Sequence, residues 1–447
     1  MNTPHDPAHI PQPRVRPIVG NGPDLDADAP VQSMVKLAQE LGPIYRLTFP
    51  TGSLLILSSL EFANELGDDT RFEKKVSGAL TQLRDFVGDG LFTAHTREPN
   101  WGKAHRLLMP AFGPHSMRNY FDDMLDIADQ MLTKWERMGQ EADFDVSDNM
   151  TRLTLDTIAL CGFNYRFNSF YQNEPHPVVE AMVRALSEAG NRSRRLPIQN
   201  QLMVRTQRQY EADGAYMHSV SNDLIVKRRK LAEDEAPRDL LQLMMKGKDS
   251  LTGEGLDDVN IRNQMLTFLV AGHETTSGLL TFAIHMLLEH PDILRKAQEE
   301  VDRVLGDETP RQEHIAKLIY IDQILRETLR LWPTAPAFVM TPKHDTMLAG
   351  RYPVKARDVL LLLLPALHRD PKVWDDPHKF DPERWAPGKR EKIPPHAWKP
   401  FGSGERACIG RAFALQEATL VLGMLLQRFE IWLPQPYKLI VKASLTM

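Results

Sequence analysis

The stretch from about Val259 to Glu289 constrains the fold more than any other part of the chain. Its middle, Met265-Leu266-Thr267-Phe268-Leu269-Val270-Ala271-Gly272, is apolar nearly all round, and Pro291 stops it. A helix on a protein surface buries one stripe, whereas a helix apolar on every side is buried on all sides. The pattern therefore predicts a helix running through the centre of the molecule. The 447 residues, 42% of them hydrophobic and 25% charged, can build the large core that such a helix needs.

Around that helix the pattern is mainly helical from about residue 75 to 330, with segments at about Met117–Arg137, Pro177–Ala189, 205–230, 292–305 and 319–331. Residues 246–258 read as a polar loop, 1–30 as a proline-rich extended arm, and about 408–430 as a last helix. Ile44–Phe49 and Ser53–Leu57, joined at Pro50-Thr51-Gly52, read as a hairpin. The β-rich parts fall at about 40–60 and 335–400, and Val359–Leu367 reads as a buried strand. With no repeat and no linker composition, the expected architecture is one mainly α domain with a small β subdomain over 1–447. A net charge of −5 gives no general attraction to nucleic acid, and no apolar run is long enough to span a membrane. Two cysteines cannot make a disulfide framework, so a soluble, cytoplasmic protein is expected.

One of those cysteines, Cys408, lies in Phe401-Gly402-Ser403-Gly404-Glu405-Arg406-Ala407-Cys408-Ile409-Gly410, just before the last helix. A helix N-terminus and a glycine-rich loop both favour a thiolate. It has three fates open to it: attack on a substrate, pairing with a thiol, or metal ligation. The loop supplies no histidine base and no second Cys or His for zinc. Axial ligation of a haem iron needs only one protein ligand and remains, beside the plain reading of an inert buried cysteine.

Three further groups stand out. Ala271-Gly272-His273-Glu274-Thr275-Thr276 puts an acid and an alcohol into the apolar helix. Thr275 is four residues after Ala271, so its hydroxyl can bond that carbonyl and loosen the helix, and Glu274 with Thr275 can relay protons. Glu327 and Arg330 share a helix face, and Arg384 in Phe380-Asp381-Pro382-Glu383-Arg384-Trp385 completes a structural clamp if it joins them. Trp101 and His105 are four apart and can point the same way, though on their own they read as an amphipathic helix with a core tryptophan.

Together these runs resemble the cytochrome P-450 haem-thiolate monooxygenases over essentially the whole chain. They are most similar to the haem domain of bacterial self-sufficient fatty-acid hydroxylases fused to a diflavin reductase, with Leu331-Trp332-Pro333-Thr334-Ala335-Pro336-Ala337-Phe338 a further matching run. The resemblance implies a P-450 fold with haem b between the long central helix and the cysteine-loop helix. It implies Cys408 as the iron ligand on the Gly402 loop, with Phe401 against the sulfur. Arg406, Trp101 and His105 would hold the haem propionates, and Glu274 and Thr275 would deliver protons to dioxygen. Phe92 would stand over the haem, with Val87, Leu80, Leu83, Leu186, Val270, Ala271, Ala335 and Ala337 lining the substrate pocket. Glu327, Arg330 and Arg384 would clamp the cysteine loop from behind.

Some positions depart from that pattern. Where the fatty-acid hydroxylases carry an arginine and a tyrosine for the substrate carboxylate, this chain has Gly52 and Ile56, and position 193 is serine. The expected substrate is therefore an apolar, chain-like molecule, a fatty acid or a neutral lipid. No flavin- or NADPH-binding segment follows, so FAD, FMN and NADPH would act through a diflavin reductase, joined to this domain or separate. Arg97, Lys103, Arg390 and Lys399 lie near the cysteine loop in sequence and read equally as a basic docking patch or as ordinary solvated charge. A peroxide-driven peroxygenase, a non-catalytic haem sensor and a helical scaffold with an inert cysteine are the competing readings.

Overall fold

The computed structural model describes residues 9–139, 142–143, 145–195, 197–433, 437, 439–442 and 446–447. Packing divides the chain into two compact units. The first comprises Met1–Lys75, Arg326–Cys408 and Gln435–Met447, and the second Val76–Leu325 and Ile409–Pro434.

The first unit is built on a five-stranded sheet. Its strands are β1 (Ile44–Phe49), β2 (Gly52–Leu57), β3 (Phe72–Lys74), β4 (Ala337–Pro342) and β7 (Val359–Leu363), in the order β1-β2-β7-β4-β3. A separate hairpin pairs β5 (Thr346–Leu348) with β6 (Tyr352–Val354). Strand alternation decides which side chains go where. Tyr45, Leu47 and Ile56 turn to one face and pack on Val31 and Met34 of the helix Pro30–Leu41. Ile44, Leu55, Leu57 and Phe72 turn to the other and pack on Phe62 and Leu66. The central strand β7 contributes Leu360 and Leu362 to one cluster and Leu363 to the other. Cover on both faces is why its sequence is an unbroken apolar run.

The second unit is helical. Its central helix runs Asp258–Glu289 and is capped by the Asp257 side chain, which accepts the Asn260 N–H at 2.7 Å. Such a cap stabilises a helix by ~1 kcal/mol. The helix packs chiefly against Val146–Phe163, and also against Ala79–Val87, Val204–Arg229, Leu240–Lys246 and Arg411–Arg428. Neighbours on so many sides explain its all-round apolar sequence. Among the described residues no helix is long and apolar enough to cross a membrane.

Several expectations need correction. The buried strand at Val359–Leu367 ends at Leu363, and Leu364–Leu367 is a helical turn opened by Pro365, which has no N–H for a sheet ladder. No described strand lies between Leu363 and residue 400, where short 3₁₀ turns and loops take over. The last helix begins at Arg411 rather than near 408, leaving Cys408 on the loop before it. Pro30–Leu41 is a helix where the sequence reading ends an extended arm.

Candidate active site

In the first unit the cysteine loop is built by backbone geometry. The Cys408 N–H donates to the Phe401 carbonyl at 2.8 Å, and the Ala407 N–H to that of Gly404 at 3.1 Å. Gly404 has φ +68°, and a Cβ there would lie 2.4 Å from Asp69 Oδ2, so any other residue would be strained and would displace the Asp69 carboxylate. Asp69 also accepts the Glu405 N–H at 3.3 Å. The resulting loop leaves Cys408 exposed, whereas Cys161 is buried at 2% in the second unit, where burial pushes its thiol well up. One cysteine is thus an inert core residue and the other is exposed on its loop. Phe401 packs edge-to-face on Trp398 at 6.1 Å.

Glu327, Arg330 and Arg384 meet in one cluster of ion pairs. Glu327 and Arg330 are both 0% exposed. The Arg330 guanidinium donates to Glu327 through Nε and Nη2 at 2.8 Å each. Its other N–H groups reach the carbonyls of His368, Pro377 and Lys379 at 2.7–2.9 Å. Arg384 Nε reaches Glu327 at 3.3 Å, and the Trp385 indole and Asp381 backbone N–H donate to the same carboxylate at 3.0 and 2.9 Å. A buried ion pair is tolerated only when its remaining donors and acceptors are satisfied in this way. His368 carries the clamp onward: its Nδ1 donates to the Arg330 carbonyl at 3.2 Å and its Nε2 accepts the Lys399 N–H at 3.0 Å. The Lys399 carbonyl in turn accepts the Gly402 N–H at 3.1 Å. Burial, reinforced by the neighbouring Arg330 charge, pushes the imidazole down to about 3, so it is neutral with both nitrogens used.

Lys74 on β3 is a half-buried cation that the sequence does not single out. Burial first, and then the Arg406 guanidinium, push its ammonium down to about 7. Two crowded cations beside the cysteine loop suit an anionic ligand group. An exposed thiol with adjacent cations is the donor set that a haem with its propionates requires.

In the second unit, Thr275 Oγ1 donates to the Ala271 carbonyl at 2.8 Å, the bond its spacing predicts. The helix nevertheless continues unbroken from Asp258 to Glu289, so the expected loosening is not seen. Gly272 has a packing reason: a Cβ there would lie 3.1 Å from Ile158 of the neighbouring helix. His273 donates through Nδ1 to Leu269 at 2.7 Å, and its carbonyl accepts from Thr154 at 2.9 Å, which makes it a core residue. Glu274, Thr275 and Ala271 stay half-buried. Trp101 and His105 stack at 5.2 Å with a 20° interplanar angle. Their helix, Pro99–Leu108, is tied to the polar 247–257 loop by a two-pronged Arg106–Asp249 pair at 2.6 and 2.9 Å.

Of the residues expected to line a pocket, Leu80, Leu83 and Val87 lie on Ala79–Val87, which packs against both the central helix and Pro177–Arg194, the bearer of Leu186. Leu83, Val87 and Val270 are almost wholly buried, while Leu80 and Phe92 are half-exposed. Ala335 and Ala337 belong to the first unit and are half-buried. On the hairpin, Ile56 is 0% exposed in the core, Gly52 has no side chain to offer, and Arg46 is exposed. The expected basic patch loses Lys399, which is buried at 5%, and Lys103 is neutralised by Glu254 at 2.7 Å. Among the described residues no group of three or more His, Cys, Asp or Glu could hold a metal ion.

A mainly helical protein with a small sheet, and a cysteine loop braced by a buried Glu–Arg–Arg clamp, defines a class of haem-thiolate proteins. The chain belongs to the cytochrome P450 family, whose model matches residues 10–442. It is 51% identical over 439 residues to the bifunctional cytochrome P450/NADPH–P450 reductase 1 of Bacillus subtilis, covering 98% of this chain and 41% of that protein. A bifunctional cytochrome P450/NADPH–P450 reductase of Bacillus cereus is 51% identical over 440 residues, with 98% and 41% covered. A self-sufficient cytochrome P450 monooxygenase of Phanerodontia chrysosporium is 48% identical over 441 residues, with 98% and 42% covered. The chain therefore spans about two fifths of the length of these relatives. As a member of the family it is a haem protein.

Proposed function

We propose that residues 1–447 form one haem domain that hydroxylates an apolar, chain-like substrate with dioxygen, drawing electrons from NADPH through an FAD- and FMN-containing reductase. The observation that carries this reading is the exposed Cys408 on a loop locked to a buried clamp, beside the Lys74–Arg406 pair. When bound, haem supplies dioxygen binding and the acceptance of electrons one at a time. Cys408 would donate its thiolate to the iron, and Phe401 would shield that sulfur and tune its potential. Arg406 and Lys74, with Trp101 and His105, would hold the propionates.

Thr275 would turn its hydroxyl from the Ala271 carbonyl toward oxygen, and Glu274 would resupply the proton. Phe92, Leu80, Leu83, Val87, Leu186, Val270, Ala271, Ala335 and Ala337 would present an apolar wall. The relatives' names pair a P450 with an NADPH–P450 reductase or call the protein self-sufficient, which supports the same electron source here. A soluble, cytoplasmic setting fits that source.

Ile56 in the core and Gly52 without a side chain leave the hairpin without the two anchors for a carboxylate. The reading therefore expects a fatty acid and its matching primary alcohol to bind about equally, with Kd values within about tenfold of each other. Titration of the haem spin shift measures this. The panel is then incubated with NADPH and a competent diflavin reductase. Hydroxylated product from either substrate supports the assignment. No oxidation of any fatty acid, alcohol or alkane, or efficient turnover with peroxide alone at low concentration, would contradict it.

A further inference from the structure

The loop between the helices Ala79–Val87 and Pro99–Leu108 carries Phe92, and the residues just before Phe92 are fixed to the central helix one after another. All of them lie in the second unit. Asp89 accepts amide N–H bonds from Asn260 and Asn263 at 2.9 Å each and from Asn100 at 2.7 Å. Gly90 sits so close to the helix that a Cβ would lie 1.9 Å from Thr267 Oγ1 and 2.8 Å from the Asn263 carbonyl. The Leu91 N–H donates to Gln264 Oε1 at 2.9 Å, and Gln264 Nε2 is itself held by Asn260 Oδ1 at 3.1 Å. Asn260, Asn263 and Gln264 fall three and four residues apart, on one helix face, and all three are buried.

The far side of the loop is tied as firmly. Thr93 Oγ1 donates to the Gly88 carbonyl at 2.8 Å, the Ala94 N–H to Gly90 at 2.8 Å, and Arg84 to the Thr93 carbonyl at 2.7 Å. Burial alone would raise the Asp89 carboxyl, but its three amide donors outweigh that and hold it below the usual carboxylate range. The carboxylate is thus ionised and fully occupied as a knot between three elements. Between the two tied ends, Phe92 remains half-exposed while Thr93 and Ala94 are buried.

We infer that Asp89 and Gln264 are positioning residues that fix the loop carrying Phe92 and thereby set which carbon of the substrate is hydroxylated. The inference rests on the proposed pocket role of Phe92. Gln264 gives the loop backbone an acceptor at Leu91, and Asp89 gives the helix face a three-way acceptor. Removing either frees the backbone next to Phe92 without touching a pocket side chain.

The test compares Gln264→Met, Asp89→Ala and Phe92→Ala in the haem-loaded protein with a separate diflavin reductase, NADPH and one saturated fatty acid. Hydroxylation positions are counted per haem-containing enzyme, so loss of folded protein alone does not change them. Gln264→Met and Asp89→Ala are each expected to change the ratio of products by about twofold or more, with the carbon monoxide spectrum of the reduced protein unchanged. Asn100→Ala, which removes one exposed-side donor to Asp89, is expected to shift the ratio in the same direction and stands in should a buried variant not fold. If Phe92→Ala redistributes the products and the anchoring variants do not, the inference is overturned and the pocket reading stands. If Phe92→Ala leaves the distribution unchanged, the pocket reading fails and the inference falls with it.

Discussion

Lys74 carries the sharpest prediction at the scale of single residues. Its ammonium is pushed down to about 7 by burial and by Arg406, so an anion laid across the two cations relieves both costs at once. Lys74→Ala should release haem to an acceptor globin about tenfold faster, as expected from the loss of one charged hydrogen bond. An unchanged release rate would remove Lys74 from the site. His368 predicts a pH effect on stability. Its folded pKa of about 3 lies below the ordinary histidine value, so its contribution is fully present above about 6.5 and is lost as pH falls toward 3. Each pH unit in that window costs up to ~1.4 kcal/mol. Thermal melts of the wild type and His368→Gln between pH 7.5 and 5 should show the variant's slope to be shallower. Neither residue is legible in the sequence. Lys74 sits in Phe72-Glu73-Lys74-Lys75, which reads as solvated charge until β3 pairs with β4. His368 matters only because the fold brings Arg330 and Lys399 to opposite sides of its ring.

Among the elements, the clamp turns one helix end into a support for the cysteine loop. Glu327→Gln should leave Arg330 with an uncompensated buried charge, at a cost of about 3–5 kcal/mol, and should lower both the melting temperature and the haem content. A melting temperature within error of the wild type would show that the clamp is not a brace. The spacing of Glu327 and Arg330 is visible in the sequence because three residues along a helix is a shared face. The participation of Trp385 is not, although it follows Arg384 directly, because a tryptophan reads first as packing. The long helix is legible from its apolar pattern and Pro291, whereas its Asp257 cap emerges only in the structure. Thr275 makes the expected bond to Ala271, yet the helix runs on unbroken through it. The β-rich reading of 335–400 overreached because prolines and short apolar runs mark turns as readily as strands.

For the whole molecule, the fold class followed from one buried helix and a hairpin, whereas the docking face did not follow from charge. Lys399 looks like surface charge in the sequence but lies in the core, with its Nζ 2.9 Å from His396 Nδ1. The substrate's polar end is likewise undecided by the motifs, because Gly52 and Ile56 offer no ionic contact and Ile56 faces the α–β core of the first unit. What the whole account depends on is thiolate ligation by Cys408. The most direct measurement is the absorption spectrum of the reduced, haem-loaded protein under carbon monoxide, for the wild type and Cys408→His. The wild type should give the strongly red-shifted Soret band of a thiolate–iron–carbonyl complex, and Cys408→His the shorter-wavelength band of an imidazole complex. A wild-type band of the imidazole kind, or a red-shifted band that survives in Cys408→His, would contradict it.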